Sequence, residues 1–181
     1  MASASASSGV GAEPMVTALV AIGSNLGDRH ANLAHALAGL EHLPVTTVIA
    51  LSAIYETAPV GGPENQGPFL NAAACLETAL TATGLLSALH AIERTAGRER
   101  VVRWAARTLD LDLLIYGETV SDAPALQLPH PRMHQRRFVM VPVCDLHPAM
   151  RHPGLGLTMA DLLARLPVEP GDLTRLAAGW A

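Results

Sequence analysis

The stretch Thr108-Leu109-Asp110-Leu111-Asp112-Leu113-Leu114-Ile115-Tyr116 alternates acids with aliphatic residues at a period of two, the pattern of a strand with one buried face. Side chains two apart on a pleated strand point the same way, so Asp110 and Asp112 are expected to project together while Leu109, Leu111, Leu113 and Ile115 face a core. Like charges held side by side repel, and a cation relieves the repulsion. Paired carboxylates with open coordination positions suit Mg²⁺ carrying substrate phosphates. The alternative is a solvent-facing strand with two ordinary acids.

Just upstream, five arginines, Arg94, Arg98, Arg100, Arg103 and Arg107, surround Trp104. Guanidinium forks match phosphate oxygens bidentately, and Mg²⁺ bridges neighbouring phosphates, so one polyphosphate would satisfy the arginines and the aspartates together. The alternative here is a solvated basic face.

Working outward, Thr17 to Ile22 reads as a buried strand, and Gly23-Ser24-Asn25-Leu26-Gly27-Asp28 turns into a helix with Leu33, Leu37 and Leu40 on its apolar face and Asp28 as N-cap. Val45 to Thr57 and Asn71 to Leu80 read as second and third strands joined by a Pro/Gly-rich linker. Thr81 or Thr83 caps a helix with Leu85, Leu89 and Ile92 at helical spacing, ending near Gly97. The order strand, helix, strand, strand, helix, strand predicts an α+β fold, a ferredoxin-like βαββαβ sandwich with its helices on one face and the other face open for a ligand. A short strand at Leu126 to Leu128, a loop from His130 to Arg137, a helix through Cys144 and another near Thr158 to Leu166 extend it.

The predicted organisation is a disordered leader at 1–14, one domain at 15–166 and a weakly structured tail at 167–181. The leader lacks the basic and apolar regions of a secretory signal, which makes the cytoplasm the expected location. At 181 residues and 50% hydrophobic content the chain is long enough to bury a core, and no apolar run approaches the roughly 18 residues that span a bilayer. The net charge of -4 argues against a general nucleic-acid surface, although 94–137 holds eight arginines against five acids.

Lysine is absent, which excludes a Walker-type P-loop, Schiff-base chemistry and the protein-kinase strand lysine. Cys75 and Cys144 are single and widely separated in apolar surroundings, so buried thiols are expected rather than a disulfide or a zinc site.

Ala21-Ile-Gly-Ser-Asn-Leu-Gly27, Tyr55-Glu-Thr-Ala-Pro59, Phe69-Leu-Asn71, Arg103-Trp104, Arg107-Thr-Leu-Asp-Leu-Asp112, Pro129-His130 and Arg136-Arg-Phe138, in this order and at these separations, closely resemble the 6-hydroxymethyl-7,8-dihydropterin pyrophosphokinase family of folate biosynthesis. The resemblance runs from about Thr17 to Leu166. It implies transfer of the β,γ-diphosphate of ATP to the pterin hydroxymethyl group with release of AMP, ATP being a co-substrate. It also implies two Mg²⁺ ions on Asp110 and Asp112, with Arg98 and Arg107 completing the catalytic set. Arg98, Arg100, Arg107 and Arg136 match positions that hold the triphosphate, Trp104 one in a closing loop, and His130 and Glu93 positions on the nucleotide side.

By the same resemblance Phe69 and Phe138 sandwich the pterin, Asn71 pairs with its polar edge, Thr57, Pro59 and Val60 line it, and Gly23 leaves room for it. They are the only two phenylalanines in the chain. A monomer without nucleic-acid or membrane partners is expected. Ala105-Ala106 replaces the family's common Gly-Pro, and Pro131 stands where an aromatic is frequent. Two other readings stay open: a ferredoxin-like regulatory module that binds nucleotide without turnover, and a different DxD-type metal-dependent transferase.

Overall fold

The computed structural model describes residues 14–59, 67–97, 108–169, 171–177 and 179–180. Its elements are β1 (Val16–Ser24), α1 (Arg29–Glu41), β2 (Thr46–Leu51), β3 (Tyr55–Thr57), β4 (Phe69–Thr78), α2 (Ala82–Thr95), β5 (Asp110–Tyr116), β6 (Ser121–Ala123), β7 (Leu126–Leu128), α3 (Arg137–Leu146), α4 (Met159–Ala164) and β8 (Leu173–Arg175), with one turn of 3₁₀-helix at Met133–Gln135.

The sheet runs β5-β1-β4-β3-β8, with β2 also paired to β4. β2 and β3 are two pieces of the expected second strand. The chain leaves the ladder at 52–54, where the Ser52 hydroxyl accepts from the Ala73 N–H at 2.8 Å. Taken as one, they give the βαββαβ order with both long central strands antiparallel to their neighbours.

Side chains alternate along β1 into two cores. Ala18, Val20 and Ile22 join Leu70, Ala72, Ala74 and Leu76 of β4 beneath α1 and α2. Leu19 joins Ala73 and Cys75 against Val139, Met140 and Val143 of α3 and Met159 and Leu162 of α4. Helices therefore cover both faces, which corrects the expectation of one covered and one open face. α3 and α4 carry enough apolar surface to cover the second face of the same sheet, and each fully buried Leu or Val contributes roughly 1.5–3 kcal/mol.

The helices start where local chemistry directs. The Asp28 carboxylate accepts from the Ala31 N–H at 3.0 Å, and the Thr81 hydroxyl from the Gly84 N–H at 3.1 Å. The buried residues of α1 are Leu33, Ala36 and Leu40, one side of the helix, with Leu37 half-buried beside them. α1 packs tightly on α2 at Gly39, where a Cβ would come within 2.8 Å of Ile92.

Two further differences from the sequence reading matter for the site. Ile115 pairs with Leu19 and Leu113 with Val20, so Leu114 is an extra residue, a β-bulge. The bulge reverses the facing beyond it: Leu111 and Leu113 lie in the first core, but Ile115 lies in the second, not beside them as the alternation predicts. The segment expected to be a weakly structured tail supplies β8, which pairs antiparallel with β3, and its Trp180 donates from the indole N–H to the Ser52 carbonyl at 2.8 Å.

Candidate active site

The antiparallel register lines up one row of residues across four strands: Tyr55 of β3 opposite Asn71 of β4, Asn71 opposite Gly23 of β1, and Gly23 opposite Asp110 of β5. The next row towards the second core holds Ala73, Ala21 and Asp112. Asp110 and Asp112 thus stand on the α3 side of the sheet, separated from Asn71 by the residue without a side chain. A Cβ at Gly23 would sit 3.5 Å from the Asn71 Oδ1 and 3.9 Å from the Asp110 Cβ, so glycine here leaves a shallow gap between amide and carboxylate.

On the Asn71 side, the amide Nδ2 donates to the Thr57 hydroxyl at 2.8 Å in a buried contact. Phe69, two residues before Asn71 and opposite Thr57, shares their face of the sheet. Arg29 holds the approach to it, its guanidinium donating to the Glu56 carboxylate and to the Pro68 carbonyl, each at 2.8 Å. Phe138, the second residue of α3, is half-buried, and the Arg136 guanidinium lies 5.6 Å from its ring centre. Pro59 is half-buried at the end of the described stretch after β3.

On the carboxylate side, the bulge has a second effect. The Leu114 carbonyl accepts the His130 backbone N–H at 2.8 Å, which ties the loop carrying His130 to the aspartate strand. Burial first holds the His130 imidazole below its ordinary pKa; the nearby Asp112 charge opposes this, and Arg136 and Arg132 reinforce it. The Arg132 N–H donates to Nδ1 at 3.3 Å, which leaves the proton of a neutral ring on Nε2 as a donor. His130, Asp112 and Arg136 are therefore gathered in one electrostatic neighbourhood.

Glu93 is 2% exposed, on the first-core side of α2, and its Oε1 accepts from the Leu111 N–H at 2.8 Å. Leu111 lies between the two aspartates on an edge strand, so this carboxylate occupies a backbone donor that the sheet does not use. Ahead of the strand, the Ser24 hydroxyl donates to the Thr108 carbonyl at 2.6 Å and accepts from the Asn32 amide at 3.0 Å. The sequence does not single out Ser24, Asn32 and Arg29 as site supports, because Ser24 and Arg29 act on partners 84 and 27 or more residues away and Asn32 acts on the strand through the Ser24 hydroxyl.

Arg98, Arg100, Trp104, Arg107 and Val60 lie outside the described residues, as does Arg103. Among the described residues no group of three or more His, Cys, Asp and Glu side chains could hold a metal ion. A divalent cation at Asp110 and Asp112 would have only two protein carboxylates and would need other oxygens. That donor set fits Mg²⁺, which keeps waters and binds through one or two carboxylates plus substrate phosphates.

Residues 19–148 match the model of the family 7,8-dihydro-6-hydroxymethylpterin-pyrophosphokinase (HPPK). The 2-amino-4-hydroxy-6-hydroxymethyldihydropteridine pyrophosphokinase of Pseudomonas aeruginosa is 45% identical over 150 residues, 83% of this chain and 91% of that one. The protein of the same name from Methylorubrum extorquens is 40% identical over 163 residues, 90% of this chain and 99% of that one. Crystal structures of wild-type Plasmodium falciparum HPPK-DHPS superpose with TM-scores of 0.65 and 0.64 at 13% and 12% identity. They cover 83% of this chain and 43% and 44% of those longer chains, and show the fold alone. With 130 consecutive residues matched and relatives of this identity along nearly their whole length, the chain belongs to the 7,8-dihydro-6-hydroxymethylpterin-pyrophosphokinase family.

Proposed function

We propose that this chain transfers the β,γ-diphosphate of ATP to the hydroxymethyl oxygen of 6-hydroxymethyl-7,8-dihydropterin, giving AMP and the pterin diphosphate, a step of folate synthesis. The observation that carries the reading is the row Asn71, Gly23, Asp110 with Asp112 beside it. It sets a hydrogen-bonding amide and a pair of hard carboxylates on one face with no side chain at Gly23 between them. A flat heterocycle could lie over the bare Gly23 backbone there, against a polyphosphate held at the carboxylates.

In this reading the pterin lies over Gly23. Asn71 meets its polar edge, Phe69 and Phe138 take its faces, and Thr57, Pro59 and Val60 complete the lining. The hydroxymethyl oxygen attacks the β-phosphorus, the bond from that phosphorus to the α,β-bridging oxygen breaks, and the hydroxyl proton leaves to solvent. No protein nucleophile is required, because phosphoryl transfer is governed by positioning and charge. Two Mg²⁺ ions, held by Asp110 and Asp112, would neutralise the phosphate charge and acidify the attacking hydroxyl.

Arg98, Arg100, Arg107 and Arg136 would grip phosphate oxygens, Trp104 would sit in the loop that closes over them, and His130 would donate from Nε2 to the nucleotide. Glu93 serves the nucleotide side by fixing the backbone between the aspartates. No described helix is long and apolar enough to cross a membrane. The proposal includes a monomer acting in the cytoplasm.

Incubation with ATP, Mg²⁺ and hydroxymethyldihydropterin tests it. AMP and pterin diphosphate formed in equal amounts support the reading. ADP as product points to a different transferase, binding without turnover to a regulatory module, and either overturns it.

A further inference from the structure

β3 is three residues long, and each residue pairs on both edges: Tyr55, Glu56 and Thr57 with Asn71, Leu70 and Phe69 on one side, and with Arg175, Thr174 and Leu173 on the other. So short a strand has little stability as a free edge. The chain after β8 continues along the same course, the Leu176 N–H donating to the Ile54 carbonyl at 2.9 Å and the Trp180 indole to the Ser52 carbonyl at 2.8 Å. Just before β8, Asp172 accepts from the Arg137 Nε at 2.7 Å, with the two side chains only 25% and 21% exposed.

Arg137 opens α3 between Arg136 and Phe138. This helix start is weakly fixed by its own turn: Arg136 at the N-cap makes no side-chain cap bond, and Pro142 has no N–H to return to the Phe138 carbonyl. The far end of α3 is tied separately, where the Tyr55 hydroxyl donates to both Asp145 oxygens at 3.0 and 2.9 Å. An anchor from outside is what the first turn lacks. The Asp172 carboxylate supplies one with a charge-assisted bond, at the helix end that favours a negative group.

We infer that the segment around β8 is a strap that sets the opening between the β3–β4 floor, with Thr57 and Asn71, and the α3 wall, with Arg136 and Phe138, and that Arg137 and Asp172 are its latch. Both are positioning residues for the planar substrate, which they do not touch. The inference rests on the pterin assignment above. A strap that only covered a sheet edge would support the fold evenly; a latch on the Phe138 turn acts mainly on the planar substrate, because Phe138 is one of two rings for the pterin whereas Arg136 shares the phosphates with three other arginines.

The test compares Asp172→Ala, Arg137→Met and the double variant with the wild type, and adds Asp172→Asn, which keeps an oxygen to accept from Nε and protects the test against a variant that does not fold. Pterin affinity is expected to fall about tenfold in each single variant and no further in the double, with MgATP affinity and kcat within about twofold. Asp172→Asn is expected to recover part of the loss. Pterin affinity unchanged in the single variants, or pterin and ATP affinities falling together with Tm, overturns the inference. Amide hydrogen exchange without substrate reads the strap directly: Glu56, Thr57 and the first turn of α3 are expected to exchange roughly tenfold faster in Asp172→Ala, and unchanged exchange overturns it. A wild type that forms no AMP would defeat the pterin reading while exchange still decides the strap.

Discussion

The Asn71 amide Nδ2 and the Thr57 hydroxyl are hydrogen-bonded at 2.8 Å across β4 and β3, with both residues buried. The bond fixes the rotation of the carboxamide, and its Oδ1 would lie 3.5 Å from a Cβ placed at Gly23. Asn71 is thus held by one end and presents the other to the gap.

Replacing Thr57 by Val keeps the shape and removes the acceptor. A buried N–H left unpaired costs about 1–3 kcal/mol, part of which the amide avoids by turning away from its present orientation. Thr57→Val is therefore expected to lower stability modestly and to raise the pterin KM several-fold with the KM for ATP little changed. Steady-state kinetics with each substrate varied in turn, beside a urea titration, check both. A pterin KM equal to the wild type would mean that the orientation of Asn71 does not matter to binding.

Gly23→Ala separates function from folding in the opposite sense. The new Cβ would stand 3.5 Å from Asn71 Oδ1 and 3.9 Å from Asp110 Cβ, ordinary contacts that need no backbone shift, and Gly23 is not at positive φ. Alanine in a strand costs less entropy than glycine, so stability is expected to hold or rise by about 0.5–1 kcal/mol. The methyl group fills the gap where the pterin is placed, and its affinity is expected to fall at least about tenfold. Calorimetric titration with the pterin and thermal unfolding report the two effects on one sample, and full pterin affinity with the methyl in place would move the substrate elsewhere.

Much of this site is legible in the sequence because it depends on local rules. The facing of Asp110 and Asp112 follows from strand periodicity, and the Asp28 and Thr81 caps follow from side chains that reach their own next turn. What periodicity cannot carry is a register change set by a partner. The bulge at Leu114 sends Ile115 to the other face, and Ser52 breaks the second strand by lending its hydroxyl to Ala73. β8 escapes notice because three residues of mixed character become a strand only when β3 offers an edge and Arg137 offers a charge. The same holds for Glu93, whose burial on α2 is decided by a backbone donor 18 residues away.

Asp112→Asn tests the carboxylate pair. Asp110 and Asp112 share one face of β5, and removing one of two like charges relieves repulsion, so the fold is expected to lose less than about 1 kcal/mol or to gain slightly. Turnover is expected to drop by at least about a thousandfold, since interactions made with developing charge weigh most on the rate. Chelation of Mg²⁺ from the wild type should imitate the rate loss without lowering Tm, and that comparison is the check. A variant that unfolds early yet turns over normally would make Asp112 a structural residue.

The pH dependence of stability has a source away from the catalytic residues. His152 is 5% exposed, its Nδ1 accepts the Leu155 N–H at 3.2 Å, and its ring meets that of His134 edge-on at 5.8 Å. His152 Nε2 and His134 Nδ1 are buried without a hydrogen-bond partner among the described residues. Burial first, and the neighbouring His134 second, hold the His152 pKa below the ordinary 6.5. The native state therefore binds fewer protons than the unfolded chain in the interval between the lowered value and 6.5. This contribution is fully present above the unfolded pKa and is lost as pH falls through 6.5 towards the native value, with a slope of at most about 1.4 kcal/mol per pH unit from one group. Urea unfolding of the wild type and of His152→Gln at pH 7.5, 6.5 and 5.5 isolates it, because other titrating groups act equally on both proteins. The wild type is expected to lose stability faster on acidification, and parallel lines for the two proteins would show that the His134–His152 contact carries no proton linkage.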